Sequence, residues 1–72
     1  MKARGALIGC GFFAENHLNA WKQLDVDLVA VCDTDPEKSA RAATRFGISR
    51  HYTNAAEMLQ SEKLDFVDIG NF

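Results

Sequence analysis

Apolar positions along this chain change period several times, and each change marks an element. Residues 4–8 read as the first strand, continuously apolar after Arg4 as in a strand covered on both faces, which places that strand in the middle of a sheet. Over residues 12–24, Ala14, Leu18, Trp21 and Leu24 recur at helical spacing and make one face for the sheet. Glu15, Asn19, Lys22 and Gln23 fall on the other side. Residues 27–32 give a second strand, after which Asp35 and Pro36 supply an N-cap and a first-turn proline for a helix that ends at Gly47. The inward face of that helix, Ala40, Ala43 and Phe46, is mostly small, so the helix is expected to lie close to the sheet. A short edge-like strand follows within residues 48–53. Asn54 and Glu57 then form a capping box for a short helix reaching about Ser61, and residues 65–70 read as a fourth strand.

Strands that alternate with helices at this spacing predict an α/β fold, a parallel sheet with right-handed crossovers and helices on both faces. The first strand then lies between the second and the fourth. The order of strands reverses at its carboxyl end, where sheets of this kind bind ligands.

The residues at that point carry the chemistry. Gly9-Cys10-Gly11-Phe12-Phe13-Ala14 follows the first strand and opens the first helix, a GxGxxA turn. Gly9 permits a sharp turn. Gly11 leaves the space through which a pyrophosphate can approach the N–H groups at the helix start, and Ala14 is small where helix and strand lie close. Asp33, about twenty residues on at the tip of the second strand, can accept hydrogen bonds from an adenosine ribose and would repel a 2′-phosphate. Strand, glycine turn, helix, strand and acid together are the layout of a Rossmann dinucleotide-binding unit, and the expected cofactor is NAD rather than NADP. Arg41 and Arg45 could mark a 2′-phosphate, but Asp33 and Asp35 oppose that charge, and both arginines read more simply as solvated. Phe13 reads as packing, whereas Phe12 either packs or lies over the cofactor.

Composition narrows the partners. With 72 residues, 47% of them hydrophobic and 25% charged, the chain is globular, and a domain of this length buries only about 60% of its unfolded surface. Marginal stability or self-association is the expectation. A net charge of −2 without a basic cluster argues against nucleic acid or an anionic membrane as partner. No run approaches the ~18 apolar residues of a membrane span, and no signal-like segment opens the chain, so a cytoplasmic protein is expected. Cys10 and Cys32 lack metal-ligand spacing and read as small buried hydrophobes; a redox pair on adjacent strands is the sharper alternative.

In these residues the chain resembles the amino-terminal part of the Gfo/Idh/MocA family, the glucose-fructose oxidoreductase and inositol dehydrogenase group. Besides the glycine turn, the resemblance includes His17, Trp21, Val29-Ala30-Val31-Cys32-Asp33, Phe46-Gly47, Tyr52-Thr53 and Asp65-Phe66-Val67-Asp68-Ile69. It implies that residues 1–72 are a partial NAD(P)-binding domain, truncated after about four strands, with the substrate domain absent. It also implies hydride transfer between a nicotinamide cofactor and a sugar or polyol, carried out by the full-length protein. The catalytic lysine of that family lies beyond Phe72, and Gly70-Asn71-Phe72 departs from the usual strand end, so no catalytic residue is assigned here. The cofactor-binding set is Gly9, Gly11, Phe12, Phe13, Ala14 and Asp33. His17, a turn into the helix, reads as structural rather than as a general base, and His51 and Tyr52 have no partner motif. The competing readings are a non-catalytic dinucleotide-binding module and a structural, self-associating one, the latter through the apolar edge of the fourth strand.

Overall fold

Small residues at the centre of the first strand let helices close over both sides of a four-stranded sheet. The structure is a computed structural model and describes residues 2–10 and 14–69. Its elements run β1 (Ala3–Ile8), α1 (Ala14–Lys22), β2 (Val26–Cys32), α2 (Pro36–Phe46), β3 (Arg50–Tyr52), α3 (Ala55–Ser61) and β4 (Phe66–Ile69). The sheet order is β3-β2-β1-β4 and every pairing is parallel, so β1 lies between β2 and β4 as the alternation of elements requires.

The pleat of β1 and β2 divides the core in two. Leu7, Cys10 and Val31 pack with Ala42, Ala43 and Ile48 on the side of α2, while Ala6, Ala30 and Cys32 pack with Met58 on the side of α3. An irregularity between Gly5 and Ala6, which pair with Leu28 and Ala30, adds one residue to β2 and keeps its later side chains in phase with both cores.

Three local signals are realised as expected. Asp35 caps α2 by accepting from the Glu37 N–H at 3.0 Å, and Gly47 ends the helix in a left-handed conformation at φ 68°. Asn54 caps α3 by accepting from the Glu57 N–H at 3.0 Å. Other expectations need correction. The face of α2 that is buried is Ser39, Ala42 and Ala43, with Ala40 and Phe46 only half-buried. Ser39 tolerates burial because its hydroxyl donates to the Pro36 carbonyl within the first turn. Leu24 does not face the sheet: α1 has ended at Lys22, and Leu24 is exposed in the turn to β2.

At the edge strand β3 the polar contacts converge on Glu62, whose side chain is 1% exposed. It accepts from the Tyr52 hydroxyl and from Arg50 Nη1, with Arg4 Nη2 at 3.8 Å. The Tyr52 and Arg50 hydrogen bonds hold its carboxyl below the ordinary range. They also raise Tyr52 and Arg50 above theirs. This cluster joins β1, β3 and the end of α3 at a distance from the glycine turn.

Candidate functional site

The carboxyl ends of β1 and β2 are fastened to each other by backbone and by one carboxylate. Gly9 N–H donates to the Cys32 carbonyl at 2.7 Å, and the next N–H, that of Cys10, donates to Asp33 Oδ2 at 2.7 Å. Gly9 can make this turn because it sits at φ 92°, a region L side chains rarely enter. The other Asp33 oxygen accepts from the Asp35 N–H at 2.8 Å, and Asp33 N–H donates to the Tyr52 carbonyl at 3.0 Å. A continuous relay therefore runs from the glycine turn through Asp33 and Asp35 to the first turn of α2.

Asp33 is 6% exposed, yet it borders a cleft of about 190 Å³ with Ile8, Gly9, Cys32, Thr34, Thr53, Ala55 and Ile69. The cleft lies over the carboxyl ends of the strands at the switch point. It is smaller than the ~300–1,000 Å³ of a pocket that encloses a drug-sized ligand, so it has room for one portion of a dinucleotide. Each carboxylate oxygen has two lone pairs, so Asp33 retains acceptor capacity after both backbone bonds are made.

Of the residues assigned to the cofactor from sequence, Gly9 and Asp33 are thus brought together. Ala14 is the first residue of α1, the helix that follows the turn. Gly11, Phe12 and Phe13 lie outside the described residues. Thr34 and Thr53, which also line the cleft, were not among the residues assigned from sequence; Thr53 directly follows β3 and Thr34 lies two residues past β2, where the rule that ligands sit beyond strand ends would place candidates. His51 is exposed on β3, and Tyr52 is engaged with Glu62.

Cys10 and Cys32 are free and buried. Their side chains belong to cores on opposite faces of the sheet, and Cys10 Sγ contacts the Cys32 carbonyl at 3.5 Å. Burial first, then the charges of Asp33 and Cys32, push the Cys10 thiol up to about 11. Burial and Asp33 likewise raise Cys32. Both stay protonated at neutral pH, as small core residues rather than nucleophiles. For Cys10 the raised value means that its share of stability is present below about 9 and lost as pH climbs from there to about 11.

Residues 3–71 match the model of GFO_IDH_MocA, described as an oxidoreductase family with an NAD-binding Rossmann fold. The chain belongs to this family. It is 57% identical over 67 residues to D-apiose dehydrogenase of Paraburkholderia graminis, covering 92% of this chain and 18% of that protein. An oxidoreductase from Agrobacterium radiobacter, solved with NAD+, L-tartaric acid and magnesium, superposes with a TM-score of 0.94 at 42% identity, covering 100% of this chain and 21% of that one. The WlbA dehydrogenase of Chromobacterium violaceum, solved with NADH and UDP-GlcNAcA, superposes with a TM-score of 0.89 at 35% identity, covering 97% and 21%. The chain spans about a fifth of the length of these relatives.

NAD is the cofactor of the family, and the residues present fit it. The turn carries glycine where the backbone is left-handed, and an immobilised carboxylate with spare lone pairs borders a cleft at the switch point.

Proposed function

We propose that this chain is the cofactor-binding portion of an NAD-dependent oxidoreductase that acts on a sugar or polyol. The observation that carries the reading is the bond from Cys10 N–H to Asp33 Oδ2, which joins the glycine turn to the acid at the second strand tip. Asp33 accepts from the ribose hydroxyls of the adenosine half with the lone pairs its backbone bonds leave free. By residue type Gly9, Gly11 and Ala14 suit the approach of a pyrophosphate to the start of α1, and Phe12 and Phe13 stand between Gly11 and Ala14 in the sequence. NAD, when bound, supplies the hydride acceptor. These residues hold it and fix its direction, while proton transfer and substrate recognition belong to the full-length protein. The substrate class rests on relatives such as D-apiose dehydrogenase.

The test is an amide NMR titration of the labelled chain with NAD and, in parallel, NADP. Shifts confined to Gly9 through Ala14 and to Asp33 with NAD, and much weaker ones with NADP, are expected, since the Asp33 carboxylate would meet the 2′-phosphate. Absence of shifts with either nucleotide would refute the reading.

A second reading, self-association, is favoured by the outer strand β4. Val67 and Ile69 on its α3 side are 38% and 59% exposed. An apolar edge of this kind is a template for pairing between chains.

A further inference from the structure

We propose that Trp21 is a positioning residue for the cofactor: by fastening the last turn of α1 to β4 it sets the direction in which the first turn of that helix meets the pyrophosphate. The inference rests on the NAD-binding reading above.

Trp21 is half-buried near the end of α1, and its Nε1–H donates to Asp68 Oδ2 at 2.7 Å. Its ring lies 4.7 Å from that of Phe66, tilted by 38°. The Phe66 ring in turn occupies the space a Cβ on Gly5 would take, so only glycine at that point of β1 lets the ring lie down on the strand. Gly5 and Phe66 are register partners, as are Leu7 and Asp68. A line of contacts therefore runs from α1 through two residues of β4 into β1, the strand that delivers Gly9 to the site.

The two contacts constrain different motions. Ring packing fixes how far the helix stands from the sheet, and the hydrogen bond fixes how the indole, and with it the helix end, is rotated. An indole has a single N–H and no acceptor, so the direction of that bond is unique. A charged acceptor makes it stronger than a neutral one would. Ala14 and Trp21 are separated by ~10 Å along the helix axis, so any tilt at the Trp21 end is delivered as displacement at the end where backbone N–H groups meet phosphate. The same contacts also stabilise the fold, and the experiment must separate the two effects.

The chain and its Trp21→Phe variant are titrated with NAD, ADP-ribose and adenosine by amide NMR, with urea unfolding measured alongside. Phenylalanine keeps a six-membered ring for Phe66 and removes the N–H donor together with the smaller ring that carries it. Adenosine lacks the pyrophosphate and reports the cleft beside Asp33 alone. We expect NAD and ADP-ribose to bind about tenfold more weakly, about 1.4 kcal/mol, and adenosine to change by less than about twofold. Equal weakening of all three ligands, or unchanged NAD affinity in a folded variant, overturns the proposal. A wild-type chain that binds none of the three overturns the NAD reading, and this inference with it. That result is distinct from equal binding by wild type and variant. If Trp21→Phe does not fold, Asp68→Asn, which keeps an acceptor oxygen but removes its charge, is put through the same comparison. Selective loss for the two pyrophosphate ligands then supports the proposal, and equal or no loss refutes it.

Discussion

Asp33 is nearly buried and yet borders a cleft, and both facts follow from where its oxygens point. One takes the Cys10 N–H and the other the Asp35 N–H, so the carboxylate is drawn into the protein between the glycine turn and the start of α2. By sequence the acid at this strand tip reads as a ribose acceptor, the first task proposed for it. Its second task was not legible there, because the Cys10 N–H reaches it across 23 residues of sequence and is aimed only by the left-handed Gly9. This changes what a substitution measures. Asp33→Ala should lower stability by about 1–3 kcal/mol with no ligand present, since it leaves the buried Cys10 N–H without an acceptor. Urea unfolding of the apo chain checks this, and a midpoint equal to wild type would leave Asp33 with a ligand role alone. The cysteines behave oppositely. Their spacing allowed a pair, but β1 ends at Ile8 and the chain turns at the left-handed Gly9, so that Cys10 and Cys32 enter different cores.

Both ends of α2 and the start of α3 followed from local chemistry, whereas helix faces did not. Asp35, Pro36, Gly47 and Asn54 act through neighbours within one turn, so their roles could be read directly from the chain. The buried face of α2 is centred on Ser39, Ala42 and Ala43 instead of Ala40, Ala43 and Phe46. Small residues fall on several sides of that helix, and the choice among them was made by contact with Leu7, Val31 and Ile48. The hold on β3 was equally hidden, because Glu62 reads as an exposed charge until Tyr52 and Arg50 arrive beside it. Since those donors lower the Glu62 pKa, its contribution is present above the ordinary carboxylate value and is lost as pH falls through the lowered one. Urea midpoints measured from neutral to acid pH should therefore fall in the wild-type chain. Glu62→Gln should be less stable at neutral pH and show a shallower fall. Parallel curves for the two would remove Glu62 from the acid response.

Across the whole molecule, four strands in the order β3-β2-β1-β4 bury Ala6, Leu7, Ala30 and Val31 completely, while β4 leaves Val67 and Ile69 open on one side. A chain of this length buries a modest share of its surface, and an open apolar edge lowers the cost of pairing with a second copy. If β4 associates chains, sedimentation at high concentration should show species heavier than the monomer, and Val67→Lys should return the chain to monomer. A monomeric wild-type chain would refute self-association.

The order of elements, the parallel sheet, the glycine turn with its answering acid and the family were all contained in the chain. Each depends on periodicity, on capping or on the missing Cβ of glycine, which are properties of neighbouring residues. Tertiary contact settled the rest: the buried face of α2, the clasp of Asp33 on Cys10, the fixing of Trp21 by Asp68 and the burial of Glu62. These join groups distant in sequence, and a polar side chain acquires its role only when folding brings its partner within hydrogen-bonding distance and excludes water from both.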